Sequence, residues 1–104
     1  MRLKNGVSIR GIKPEMVLAL TIAAKVYERY GLTLTITAVT DGKHRPGSLH
    51  YVGLAADLRL PGSPADPTPP TSKELVANLQ KALGSEFDVV LEADHIHVEY
   101  QPKG

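Results

Sequence analysis

The chain has 104 residues, the size of one small domain. Its 12 basic and 11 acidic residues leave a net charge of +1, too little to mark a polyanion partner, and an aromatic content of 5% offers no base-stacking platform, so nucleic acid is not expected. Cysteine is absent, which excludes disulfides, thiolate metal sites and cysteine nucleophiles, so any metal must be held by nitrogen and oxygen donors.

Residues 1–6 are basic but are not followed by an apolar core of signal-peptide type. The apolar run 16–24 is too short to span a bilayer and suits a buried helix. The expectation is a soluble monomer made in the cytoplasm without membrane insertion; action outside the membrane would need release or delivery.

Residues 1–12 carry two glycines and no clear period, and are expected to form an arm or a short edge strand. Pro14 suits the first turn of a helix, where its missing N–H costs nothing. Met16, Val17, Leu20, Ala23, Ala24 and Tyr27 then recur at helical steps and Gly31 supplies a stop, predicting a helix over 14–30. Residues 32–39 alternate Leu34, Ile36 and Ala38 with Thr33, Thr35 and Thr37, the pattern of a half-buried strand. Asp41-Gly42 opens a loop through Lys43, His44, Arg45, Pro46 and Gly47. A second strand is predicted over 55–60, with Ala56, Leu58 and Leu60 on one face and Asp57 and Arg59 on the other.

Residues 61–70 hold five of the eight prolines and read as an exposed connector inside one domain. Thr71-x-x-Glu74 matches a capping box. Behind it Leu75, Val76, Leu79, Ala82 and Leu83 form an apolar stripe closed by Gly84. Phe87, Val89 and Leu91 alternate in a third strand. After a turn at residues 92–94, a fourth strand over 95–100 sets Ile96, Val98 and Tyr100 against His95, His97 and Glu99. The order helix, two strands, helix, two strands predicts one α+β domain over 1–104. It would have a small antiparallel sheet of about four strands, two helices on its apolar face, and a polar face left open as a groove.

Asp57, His95 and His97 fall on that open face, and the preceding loop delivers His50. A lone histidine in a strand is usually structural, and a His-x-His pair alone is weak. The case for a metal is that three of the four histidines and one aspartate share one predicted face. A catalytic zinc site has about three such ligands plus water. His50 and Asp57 stand seven positions apart, which on a straight strand would put them on opposite faces, so Gly53 between them must permit a bend or bulge. His44 reads as an ordinary loop histidine or a weak contributor to the groove. Zinc would lower the pKa of its water to about 7 and polarise a carbonyl. Amide hydrolysis would also need a base. Asp94, three residues before His97, is one candidate; Glu92, three before His95, is the rival. His95 would bind a developing oxyanion or shuttle protons. Arg45 would hold a substrate carboxylate or stabilise the tetrahedral intermediate, unless it is a solvated loop charge.

Ser48-Leu49-His50-Tyr51-Val52-Gly53-Leu54-Ala55-Ala56-Asp57 resembles the Ser-x-His-x-x-Gly-x-Ala-x-Asp signature of the zinc D-alanyl-D-alanine carboxypeptidases and L-alanyl-D-glutamate endopeptidases, which include many phage endolysins. Asp94-His95-Ile96-His97 resembles the C-terminal motif of the wider group that holds lysostaphin-type peptidases and the hedgehog N-domain. The resemblance spans roughly residues 32–100. It implies zinc held by His50, Asp57 and His97, Asp94 as general base, and Arg45 as the arginine that often precedes the motif. An alternative register makes His95 the ligand and Glu92 the base. The function so implied is hydrolysis of an amide in peptidoglycan stem peptides by a zinc peptidase of phage or prophage origin. The alternative is a non-catalytic zinc-binding or phage structural module of the same fold.

Overall fold

A computed structural model describes residues 1–42, 44, 46–61 and 71–102. Helix α1 (Pro14–Arg29) opens with Pro14 in its first turn. It closes in a paired-bond cap: Leu32 N–H donates to Tyr27 O (3.1 Å) and Gly31 N–H to Glu28 O (2.9 Å), with Gly31 at φ 73°. Its buried side is Met16, Ala19, Leu20, Ala23, Val26 and Tyr27. Val17, expected on that stripe, is half exposed instead, and Ala19 and Val26 take the inner positions. Helix α2 (Ser72–Leu83) is capped by Thr71, whose Oγ1 accepts from the Glu74 N–H at 3.1 Å. Leu75, Leu79 and Leu83 are its buried edge, while Ala82 faces out.

The strands are β1 (Arg2–Leu3), β2 (Thr35–Ala38), β3 (Ala55–Arg59), β4 (Phe87–Leu91) and β5 (His95–Tyr100). They form one sheet in the order β1-β2-β3-β5-β4. The sheet differs from the antiparallel one of about four strands expected from the sequence. The sheet has five strands and is mixed, because β1 pairs parallel with β2, Arg2 opposite Thr35 and Leu3 opposite Ile36. Two residues are too short to show a period, so this pairing leaves no pattern in the chain.

Both helices lie on the face that carries Ile36, Ala56, Leu58, Ile96 and Val98, and these residues share one hydrophobic cluster with the helix stripes. The other face carries Asp57, His95, His97 and Glu99. Strict alternation thus sorts β3 and β5 into a core side and an open side. Strand β2 breaks alternation. Ile36 pairs with Leu58 but Ala38 with Asp57, so two steps along β2 match one along β3. Val39, which alternation would group with the threonines, is fully buried. Among the described residues no helix is long and apolar enough to cross a membrane. Apart from residue 61, the Pro-rich connector at 61–70 lies outside the described residues.

Candidate metal centre

Two local devices position the three donors of the site. Asp57 and His97 are cross-strand partners in the β3–β5 ladder, which brings their side chains together on the open face. His50 sits in a 3₁₀ turn (Leu49–Val52) rather than in a bulged strand. Ser48 Oγ caps that turn by accepting from the His50 N–H at 3.2 Å. Gly53 ends it at φ 76°, in the left-handed region. A Cβ on Gly53 would lie 2.2 Å from the Gly11 carbonyl oxygen, so the N-terminal arm packs where a side chain would be. Lys13 N–H then donates to Gly53 O at 3.0 Å. The bend that lets His50 and Asp57 meet is therefore a glycine-terminated turn clamped by the arm.

Three donor atoms converge. His50 Nε2 is 3.2 Å from Asp57 Oδ1 and 3.3 Å from His97 Nδ1, and His97 Nδ1 is 3.0 Å from Asp57 Oδ1. A tetrahedral ion with bonds of about 2.0–2.1 Å has donor–donor edges of about 3.3 Å. This triangle has that size, and the group could hold a metal ion. His50 is 3% exposed and Asp57 9%, so the donors are largely withdrawn from water.

The far nitrogens explain which atoms point inward. His50 Nδ1–H donates to the Val39 carbonyl at 2.7 Å. A carbonyl cannot donate, so the proton must be on Nδ1 and Nε2 is left to face the triangle. His97 Nε2–H donates to Glu99 Oε1 at 2.7 Å, and Gln101 Nε2 donates to Glu99 Oε2 at 2.7 Å. A histidine ligand with its other N–H fixed by a carbonyl or carboxylate is the arrangement that orients imidazoles on metals.

The charges agree. Burial alone would push the Asp57 carboxyl up, but the adjoining His50 and His97 side chains hold it well below the usual carboxylate range. The hydrogen bond to Asp57 raises His97 above its ordinary value against the opposing effect of burial, and Glu99 adds to the rise. Both carboxylates that flank His97 thus favour its protonated form. A cation at the triangle would replace that proton.

His95 stands at the rim. It is outside the converging set, with Nε2 3.5 Å from Asp57 Oδ1. Its Nδ1–H donates to Asp94 Oδ1 at 2.6 Å. The Asp94 side chain is 88% exposed and is bound to the Nδ1 of His95, while the Nε2 of that ring approaches Asp57. Glu92 lines the groove and remains exposed, and its N–H closes the turn onto His95 O at 2.9 Å. Arg45 lies outside the described residues. The groove holds about 670 Å³ and is open along its length.

Several contributors carried no assigned role in the sequence reading. Glu99 shares the strand face of His97 two residues on, so alternation placed it there without showing what it does. The Val39 carbonyl has no sequence signal at all. His44, expected to be an ordinary loop histidine or a weak contributor to the groove, lines the groove and stacks flat on His50 with ring centres 3.9 Å apart. Its Nε2 lies 2.7 Å from Asp41 O, and the Tyr51 hydroxyl accepts from His44 N and donates to His44 O. Asp41 Oδ1 accepts from Ser8 N and Val39 N, tying the arm to the end of β2.

No family model matches the chain, and neither the curated proteins nor the solved structures contain a match to it.

Proposed function

We propose that this chain is a zinc metallopeptidase that hydrolyses an amide bond in peptidoglycan stem peptides. The observation that carries the reading is the triangle of His50 Nε2, Asp57 Oδ1 and His97 Nδ1, with the far nitrogen of each histidine already committed. Two imidazoles and one carboxylate suit zinc, and three protein donors leave a position free, as catalytic rather than structural sites do. When bound, zinc lowers the pKa of its water to about 7 and polarises a carbonyl.

The chain's own residues supply the rest. His50 and His97 present lone pairs, and Asp57 presents the negative charge. Val39 O and Glu99 keep both rings in one tautomer and orientation. His95 faces the groove with Nε2 while Asp94 holds its Nδ1–H. It can therefore take a proton at Nε2 and return it to the leaving amine. In this role Asp94 orients the base and steadies its positive charge. The groove holds about 670 Å³ beside the triangle, room for a segment of substrate. The resemblance of residues 48–57 and 94–97 to the D-alanyl-D-alanine carboxypeptidase and L-alanyl-D-glutamate endopeptidase signature supplies the substrate class. Such an enzyme meets its substrate at the cell wall, after release or delivery.

A non-catalytic zinc-binding module is the second reading. It is favoured by the exposure of Asp94, whose carboxylate is taken up by His95 and not by the triangle. The test is to incubate zinc-loaded protein with purified peptidoglycan and identify products by mass. New amine and carboxyl ends within stem peptides, absent with His50→Ala, are expected. Stoichiometric zinc without cleavage would replace the peptidase with the binding module.

A further inference from the structure

The open face does not end at His95. Beyond it a second cavity of about 320 Å³ continues the groove, walled by Asp57 and His95 on one side and by Lys4, Thr37, Arg59 and Asp94 around the rest. Arg59 is the cross-strand partner of His95, so it stands beside it on the same face. Lys4 arrives from the other edge of the sheet. Its N–H donates to Ile36 O at 2.9 Å, which fixes it next to Thr37 immediately after β1.

The charges of this cavity are unequal. Asp57 is engaged by three histidines and Asp94 by His95 Nδ1. The side chains of Lys4 and Arg59 have no ion pair or hydrogen-bond partner among the described residues. Two cations without a partner among the described residues, one just after β1 and one on β3, thus face a cavity that shares Asp57 and His95 with the groove of the metal centre.

We propose that Lys4 and Arg59 form a carboxylate-recognition subsite that selects acidic peptides. The inference rests on the peptidase reading for the identity of the scissile bond. An extended peptide lying across His95 advances about 3.3 Å per residue, so the recognised carboxylate belongs about one or two residues from the amide that is cut. Arg59 offers a planar fork that fits a carboxylate through two hydrogen bonds, and Lys4 adds a point charge.

The test uses two versions of one stem tripeptide, L-alanyl-γ-D-glutamyl-L-lysine, with the glutamate α-carboxylate free or converted to the carboxamide. Binding and cleavage are measured in parallel on zinc-loaded wild type, Arg59→Gln and Lys4→Gln, with circular dichroism and zinc content confirming that each variant folds. Exposed ion pairs are weak, so the free acid is expected to bind about three- to tenfold more tightly than the amide at low salt. That preference should shrink towards unity in each variant and with added salt. A wild type that binds both peptides equally or binds neither, or a preference that survives both substitutions, overturns the subsite. Equal cleavage of the two peptides would remove the subsite and leave the peptidase. A preference lost in the variants, with no cleavage of either peptide, would do the reverse.

Discussion

The two faces of the central sheet are built from the same strands by opposite rules. On the helix-covered face the residues share the work. Leu58, Ile96, Val98, Leu75 and Leu79 are all fully or almost fully buried in one cluster. On the open face each group has one task. His50, Asp57 and His97 supply one donor each, Val39 O and Glu99 each fix one ring, and Gly53 admits one close approach. The core face spreads its stability over many residues packed in one cluster. The open face has no spare parts, and its fit depends on tenths of an ångström.

That contrast sets different expectations for substitutions on the two sides. The largest effect belongs to His97→Ala, which removes a donor. Metal affinity should fall by well over the roughly 100-fold that loss of a supporting residue causes, measured by competition with a chelator. Leu79→Ala is its counterpart on the other face. It should cost about 2–5 kcal/mol in urea unfolding, while the folded fraction keeps full metal stoichiometry. A variant that lost metal and stability in proportion would show that the two faces are not independent.

Gly53→Ala falls between the two faces. The left-handed backbone alone costs about 1–2 kcal/mol, and the Gly11 carbonyl 2.2 Å from the new Cβ adds to it. Because the arm or the turn must shift, metal affinity should drop as well, the double loss that distinguishes a hinge of the site from a core residue. Glu99→Ala is milder. It removes the acceptor of the His97 Nε2–H, so it should leave the fold intact and weaken metal binding about 10- to 100-fold by releasing the His97 ring. Unchanged affinity would mean that Gln101 or solvent orients His97 equally well.

The smallest effect is a pH dependence. Without metal, the depressed Asp57 carboxyl contributes stability that is complete above its ordinary 3.8 and is lost as pH falls towards its lower folded value. His97 is raised, so its contribution is complete below the ordinary 6.5 and fades as pH climbs through the higher folded value. Metal binding expels the His97 proton and strengthens over that same interval. Between about pH 6 and 8 the urea midpoint of metal-free protein should therefore decline while metal affinity rises. A flat metal-free midpoint would show that the two carboxylates flanking His97 do not hold its proton.

Elements with a repeating pattern were legible in the chain. The apolar steps of α1 and α2, the Thr71 cap and the alternation in β3 and β5 placed both helices and the open face, because burial on one side imposes a period. Features without a period were legible only coarsely. A short edge strand was one of two expectations for residues 1–12 and β1 is one, but its bounds and parallel pairing had no signal, because it is two residues long and is defined by a partner more than thirty residues away. The irregularity in β2 depends on pairing with β3, and it alone explains why Val39 is buried. In the site, His50, Asp57, His95 and His97 could be collected from spacing and face. Which histidine stands in the triangle depends on ring orientation, and that is set by Glu99 for His97 and Asp94 for His95. The stacking of His44 on His50 joins two parts of a loop, where no pattern records distance.

The most direct test of the metal centre is X-ray absorption on wild-type protein loaded with one equivalent of zinc. A four-coordinate shell of nitrogen and oxygen at about 2.0–2.2 Å, with two imidazoles, is expected, and one imidazole should vanish in His50→Ala. A shell without imidazole, or one unchanged by His50→Ala, would contradict the assignment of His50, Asp57 and His97 as the site.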